Sequence, residues 1–437
     1  MIAPTLRAIL LMLAGVPVML AVAVFAPALW GLGLAWLGGV GLLMLIDAAV
    51  GPRLRSFRYQ VDAPPMVYIQ GIDPLPVAVQ FETGSLPRTL DLRIDVGERL
   101  TELPLQRLRG WSERTHRAQY DLTPLRRGTA KLETFWARWT GPLGLIQKRV
   151  REALDLEIPI LPNVRWVKDE AVRLYSRDAE FGIKTQIDRG EGSEFDALRE
   201  FTTGMDRRSV DWKHSARHRQ LLAKEFRTER NHNIVFAFDT GRLMSEPLGG
   251  VPKIDRAINA ALLLAFVSLR AGDKTTFYGF DARPGLSSGQ MSGTRAYPRL
   301  QDLADKLDYS TEEANYTLAL SELAARLDRR SLVILFTDFV DTISAELMLE
   351  NVRRLTDKHL VVFASFQDRA LLDLAERRPD APKDVARAVI ADALLQEREL
   401  VFLKLQRLGA QVIEARPDRF GPDLVSRYLD IKRRELI

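Results

Sequence analysis

The chain contains no cysteine, which excludes disulfides, thiol catalysis, iron–sulfur clusters and cysteine-based zinc sites. Histidine is scarce, with five in 437 residues. His214 and His218 have the i, i+4 spacing of a helical zinc pair, but no third ligand stands beside them. Flanking Lys213, Arg217 and Arg219 would repel a dication. No Gly-x4-Gly-Lys-Ser/Thr run occurs, and Gly272-Asp273-Lys274-Thr275 lacks the upstream glycine of a phosphate-binding loop. There is no Gly-x-Ser-x-Gly elbow either. Nucleotide, haem and iron–sulfur cofactors are therefore not expected, and the missing signatures weigh against an enzyme. Charge of one sign is also in short supply. Lys and Arg total 62 against 57 Asp and Glu, a net of +5, which is thin for a dedicated nucleic-acid binder.

A length of 437 residues implies more than one domain. Between Arg7 and Asp47 no residue is charged. One bilayer crossing takes about 20 residues, so this run fits two crossings. The expected spans are 8–25 and 29–46, with Pro27 at the turn, making residues 1–58 a transmembrane helical hairpin. Arg7, the first apolar run and Ala21-Val22-Ala23 also fit a cleaved signal peptide loosely, but a second apolar stretch follows at once. Gly31, Ala35 and Gly39 share one helical face and would allow close helix approach. Arg7 precedes the pair and Arg53, Arg55 and Arg58 follow it, so the positive-inside rule puts the remainder in the cytoplasm.

Residues 60–165 alternate short apolar runs with turn signals. The runs are Met66–Gln70, Val77–Phe81, Leu90–Val96, Lys131–Trp139 and Leu156–Leu161, a pattern that predicts an Ig-like antiparallel β-sandwich. Residues 231–437 alternate differently. Strands are expected at Asn233–Phe238, Thr275–Phe280, Ser331–Phe336, Leu360–Phe366 and Gln411–Glu414. Helices are expected at Ile254–Arg270, Leu318–Leu327, Leu347–Leu355, Ala381–Leu408 and Leu424–Arg434. This order implies a doubly wound α/β sheet. Asp239, Asp281 and Asp338 fall at strand ends, where such sheets bind ligands. Asp239 with Asp338 would offer oxygen ligands to Mg²⁺, though a single Asp there also caps helices.

With these strand-end carboxylates the α/β part resembles the von Willebrand factor A-like, Rossmann-type fold. That family holds a divalent cation with an Asp-x-Ser-x-Ser loop, a middle Thr and a later Asp. Here Asp239 and Asp338 match, and Thr317 is the candidate middle Thr. Gly241 and Leu243 replace both serines, so the resemblance implies a degenerate metal-ion-dependent adhesion site with weak Mg²⁺ binding.

Residues 166–230 form a linking segment. Glu194, Phe195, Arg199, Asp206, Arg208, Asp211, Trp212 and Lys213 lie within it, in a run that resembles the signature of the bacterial domain-of-unknown-function 58 family. Gly141-Pro142-Leu143-Gly144-Leu145 resembles that family's recurring turn before its last sandwich strand. The resemblance implies an adaptor role beside a MoxR-type AAA+ ATPase, at the bacterial inner membrane, in envelope assembly or stress handling. Arg199 to Arg230 holds nine basic and five acidic residues, interleaved in sign. Interleaving predicts ion-paired structure packed beside the first α/β strand more than a phosphate-tracking stripe. Two rival functions stay open: a metal-dependent hydrolase using the strand-end Asp cluster, and an anionic-surface or nucleic-acid binder through 199–230.

Overall fold

The computed structural model describes residues 2–25, 29–83, 85–109, 113–163, 166–167, 169–170, 173, 189–202, 209–218, 220–227, 231–339, 342–378 and 381–437. The chain divides into two compact units, Met1–Asn163 and Val164–Ile437.

The first unit begins with a short strand β1 (Ile2–Pro4) and two apolar helices, α1 (Leu6–Phe25) and α2 (Gly31–Val50). One N-terminal helix, in the stretch Gly31–Ser56, is long and apolar enough to cross a membrane, and the apolar part of the other, Leu6–Val22, is shorter. Large apolar side chains such as Leu10, Leu13, Leu20 and Leu45 are exposed on both. The helices run antiparallel. A Cβ on Gly15 would lie 2.4 Å from the Trp36 ring, and one on Gly33 would lie 2.3 Å from the Met19 side chain. Close approach therefore depends on Gly15 and Gly33. The expected Gly31 and Gly39 have nothing within 4 Å of an added Cβ; the crossing turns that face away from α1.

The rest of this unit is sheet, antiparallel except that β3 pairs with β9 in parallel: β2 (Phe57–Val61), β3 (Val67–Tyr68), β4 (Asp73–Phe81), β5 (Thr89–Val96), β6 (Gln106–Arg109), β7 (Thr115–Leu122), β8 (Gly128–Thr140) and β9 (Ile146–Leu161). A six-stranded sheet has the order β1-β9-β8-β5-β6 with β3 also on β9, and a three-stranded sheet has the order β2-β4-β7. Phe57 and Phe81 of the smaller sheet meet Trp139 of the larger at ring centroids of 5.0 and 5.2 Å. Tyr59 stacks on Phe135 at 4.1 Å. Burying each such ring contributes roughly 1.5–3 kcal/mol.

The helices are fastened to the larger sheet at their base. Asp47, fully buried near the end of α2, accepts hydrogen bonds from the backbone N–H groups of Leu143, Leu145 and Ile146 at 2.7, 2.8 and 2.8 Å. Lys148, also buried, donates to the carbonyls of Ala48 and Pro52 at 2.8 and 2.9 Å. It thereby satisfies orphan acceptors at a helix C-terminus. At the other base, Thr5 donates its hydroxyl to the Gly144 carbonyl at 2.7 Å, and β1 pairs with Ile146–Lys148 of β9. The Gly141–Leu145 turn is thus the anchor point of the helical pair.

In the second unit, β10 (Arg189–Glu200), α3 (Trp212–His218) and β11 (Leu222–Arg227) form a hairpin segment. Next come β12 (Asn233–Asp239), α4 (Arg242–Ser245), β13 (Pro247–Leu248), β14 (Val251–Pro252), α5 (Lys253–Arg270) and β15 (Lys274–Phe280). These are followed by β16 (Pro284–Ser287), β17 (Met291–Ser292), α6 (Tyr297–Ala304), α7 (Tyr316–Arg326), β18 (Ser331–Phe336), α8 (Thr342–Thr356) and β19 (Leu360–Phe366). The chain closes with α9 (Arg369–Glu376), α10 (Pro382–Arg407), β20 (Gln411–Ala415) and α11 (Phe420–Arg433). A seven-stranded mixed sheet has the order β16-β15-β12-β18-β19-β20, with β17 also on β15. Strands β15, β12, β18, β19 and β20 are parallel.

Buried on both faces, the central strands read as unbroken apolar runs. Ile234, Phe236 and Phe238 face a core shared with α5 and α11, while Val235 and Ala237 face one shared with α7, α8 and α10. The first strand, β12, lies between β15 and β18. Strand order therefore reverses beside β12, and a crevice opens at its carboxyl end.

Candidate functional site

Asp239 ends β12 and Asp338 follows β18, so adjacent parallel strands deliver both carboxylates to one crevice. A cleft of about 650 Å³ lies there, lined by residues that include Asp239, Leu243, Tyr316, Thr317, Asp338, Phe339 and Leu347. The three candidate ligands Asp239, Thr317 and Asp338 therefore reach one place, but in different states.

Asp239 is 2% exposed. Its Oδ2 accepts from the Thr337 hydroxyl at 2.6 Å and from the Tyr316 hydroxyl at 3.2 Å, and its Oδ1 accepts from Gly241 N–H at 2.8 Å. Burial pushes its carboxyl up from the ordinary 3.8 to about 6, against the pull of those hydrogen bonds. The Tyr316 hydroxyl also meets the Thr337 hydroxyl at 2.9 Å. Burial and the neighbouring Asp239 carboxylate push that phenol well above its usual value.

Asp338 is held by cations of the chain itself. Its Oδ2 lies 2.8 Å from Lys253 Nζ. Its Oδ1 accepts from Arg398 Nη1 at 2.6 Å and from the Ser365 hydroxyl at 3.3 Å. Burial alone would raise this carboxyl, but Arg398 and Lys253 outweigh it and hold Asp338 below the usual carboxylate range. Arg398 is fixed in turn. It donates through Nε to Glu414 at 3.0 Å, and through Nη2 to the Ser365 hydroxyl at 2.6 Å and the Phe366 carbonyl at 3.0 Å. Its guanidinium lies 5.1 and 5.2 Å from the Phe339 and Phe402 rings, within cation–π range.

Thr317 sits in the first turn of α7, and its hydroxyl accepts from Asn351 Nδ2 at 3.1 Å. Tyr316, one residue earlier, supplies the hydroxyl that reaches Asp239. Gly241 stands where the resembled fold has its first serine. A Cβ there would lie 2.9 Å from both Asp239 Oδ1 and the Glu312 carbonyl, so no serine fits.

These residues do not fit a resident divalent cation. Both oxygens of Asp338 are taken by cationic side chains, and Asp239 is turned onto hydroxyls and a backbone N–H. Among the described residues no group of three or more His, Asp or Glu is placed to hold a metal ion.

The sequence reading missed Lys253, Arg398, Tyr316 and Thr337. For Arg398 a signal existed. It falls on the same helical stripe as buried Ala391, Val401, Phe402 and Leu405, where an unpaired charge would be costly. Lys253 begins a helix and carries no comparable mark.

The linking segment is described in part. Glu194 and Phe195 lie on β10 opposite Arg227 and Phe226 of β11, and Arg199 lies opposite Ala223. Asp206 and Arg208 fall outside the described residues. Asp211 caps α3, accepting from the backbone N–H groups of Lys213 and His214 at 3.1 Å each. It also pairs with His214 Nδ1 at 2.9 Å and Lys224 Nζ at 3.5 Å. The His214 backbone and ring hold the Asp211 carboxyl down at about 2. Trp212 is 71% exposed, so its indole faces solvent. The described partners of Asp211 all belong to the segment, while Val167 and Trp166 at its start pack into the core that the large sheet shares with α5 and α11.

Residues 197–378 match the family described as "Protein of unknown function DUF58". The matched stretch contains Lys253, Asp239, Thr317 and Asp338, and ends before Arg398 and Glu414. The chain is 26% identical over 153 residues to "Uncharacterized protein YeaD" of Bacillus subtilis (strain 168). That match covers 35% of this chain and 38% of the relative, so the chain spans about two fifths of the relative's length. Among solved structures it is similar to "conserved hypothetical protein BatB" from Bacteroides thetaiotaomicron, at 10% identity and a TM-score of 0.31, covering 46% of this chain and 100% of that one. It is also similar to an "Uncharacterized Membrane Spanning Protein" from Vibrio fischeri, at 10% identity and a TM-score of 0.18, covering 46% and 98%.

Proposed function

We propose that the chain is a membrane-anchored adaptor. On this reading its first unit carries an Ig-like β-sandwich, its second is of the von Willebrand A-like type, and its partner is an AAA+ ATPase of the MoxR type. The observation that carries the reading is the state of the cleft floor. Asp239 and Asp338 line the cleft, but both carboxylates are engaged by internal partners, so neither stands free there as an acid, base or metal ligand. What the cleft offers outward is the apolar Leu243 and Leu347 beside exposed Thr317 and Arg242, a surface suited to docking. The family resemblance supplies the partner class. A Mg²⁺ ion seeking Asp338 competes with Lys253 and Arg398, so its binding is weak and the hydrolase reading loses its metal.

The helical pair serves as a hairpin anchor. Its two ends meet at the Gly141–Leu145 turn and so leave the membrane on one side. Arg7, Arg53, Arg55 and Arg58 at that side support the reading that it faces the cytoplasm of a bacterial inner membrane.

The test is capture of the full chain from gently solubilised membranes, with identification of bound proteins. An AAA+ ATPase should accompany the parent and be lost with Leu243→Asp and Leu347→Asp. Equal recovery with both variants, or none after mild crosslinking of the parent, refutes the adaptor reading.

A further inference from the structure

We propose that the outer face of the six-stranded sheet in the first unit binds the phosphates of anionic lipid headgroups; this rests on the membrane anchor inferred above. Side chains alternate across a strand, and here Leu92, Phe135, Ala137 and Trp139 are buried, which sends the intervening residues outward. The register lays Arg107, Asp91, Arg138 and Arg149 in one row across four strands, with Arg93, Trp136 and Arg151 in the next. These two rows, with Arg109 and Asp95 beside them, hold six arginines against two aspartates, leaving +4; further along the same face Lys131 pairs with Glu157.

The aspartates organise the arginines without using them up. Asp91 accepts from Arg107 at 2.7 Å and Arg138 at 2.8 Å, and its side chain is 11% exposed, whereas those of the two arginines are 49% and 50% exposed. Arg93 pairs with Asp95 at 2.9 Å and is 53% exposed. A guanidinium has five N–H donors in a rigid fork, so each retains donors for a phosphate. Arg151 lies 4.7 Å from the Trp136 ring, and that indole donates to Asp95 at 2.6 Å. A pocket of about 230 Å³ opens among Arg93, Trp136, Arg138 and Arg149.

Position names the ligand. Arg138 is three residues from Gly141 and Arg149 three from Ile146, both in the turn region that clasps the helical hairpin. The first row therefore lies about 10 Å along the strands from the anchor, and the second about 17 Å. Bilayer headgroups occupy roughly 5–8 Å beyond the hydrocarbon, and their field extends another 8–10 Å or so at physiological salt. The clasp through Asp47, Lys148 and Thr5 holds the arginine rows at that level.

The test uses the full chain reconstituted into vesicles of phosphatidylcholine alone, or of phosphatidylcholine with an equal part of phosphatidylglycerol. Flotation reports membrane insertion, and native mass spectrometry of the released protein reports which lipids stay bound. Arg149→Gln with Arg151→Gln leaves the partners of Asp91 and Asp95 in place. The parent should float with both vesicle types and retain phosphatidylglycerol in preference. The double Gln variant should still float and lose that preference by roughly ten- to thirty-fold, from about 1 kcal/mol for each basic residue near an anionic surface. The double Lys variant should keep most of it. A floating parent that retains both lipids equally, or a double Gln variant that retains phosphatidylglycerol like the parent, overturns the site alone. A parent that floats with neither vesicle removes the anchor, and the site with it.

Discussion

Asp239 and Asp338 stand at the ends of neighbouring strands, yet they respond to pH in opposite senses. Asp239 is raised to about 6 by burial. The folded chain therefore binds more protons than the unfolded chain between about pH 4 and 6, and stability from this group falls as pH rises through that window. The full swing is about 3 kcal/mol. Asp338 is lowered, so its contribution is present above the ordinary carboxylate range and lost as pH falls through and below it. Melting temperature measured across pH 4–8 should show less decline with rising pH in Asp239→Asn than in the parent; parallel curves would contradict the assignment. Lys253→Met removes one of the two cations on Asp338, and breaking a buried pair costs about 3–5 kcal/mol. The same variant should gain a Mg²⁺-dependent rise in melting temperature, while EDTA and Mg²⁺ should leave the parent unchanged. A parent stabilised by Mg²⁺ would mean that the ion, and not Lys253, neutralises Asp338.

At the level of elements, the Gly141–Leu145 turn joins the helical hairpin to the sheet. A Cβ on Gly141 would lie 2.4 Å from Asp47 Oδ1, so Gly141→Ala should displace the carboxylate that holds three backbone N–H groups. Asp47→Ala should strand the same donors, at about 1–3 kcal/mol for each one left unsatisfied. Thermal melts of the full chain in detergent should show both losses, and melts equal to the parent's would remove the clasp. The central strands were readable because burial on both faces turns them into continuous apolar runs, as at Ser331–Phe336 and Leu360–Phe366. Half-exposed Leu90–Val96 and Lys131–Trp139 and the edge strand at Gln411–Glu414 were readable too, but other edge and half-exposed strands were not. In β7, His116, Arg117 and Gln119 interrupt the apolar residues, and β1 is three residues pairing with a strand far along the chain. The candidate site was half readable. Asp239 and Asp338 carry the signature of a strand end, whereas Lys253 and Arg398 act over 85 and 60 residues of separation from Asp338, and no local pattern records such pairs.

For the whole molecule, the proposed hairpin anchor would send both flanks of the helical pair to one side of the membrane. A reporter fused after Arg58 should be active only if it functions in the cytoplasm, and protease added outside intact cells should spare residues 60–437. Cleavage there would reverse the topology. On the proposed function the strand-end cleft docks an ATPase without a metal ion. A photo-crosslinking residue in place of Leu347, in the membrane-inserted full chain, tests it most directly, with Leu374 on α9 as the control position. Position 347 should give an adduct with an AAA+ ATPase that EDTA does not diminish, and position 374 none. No ATPase adduct from position 347, or one that EDTA abolishes, would contradict it.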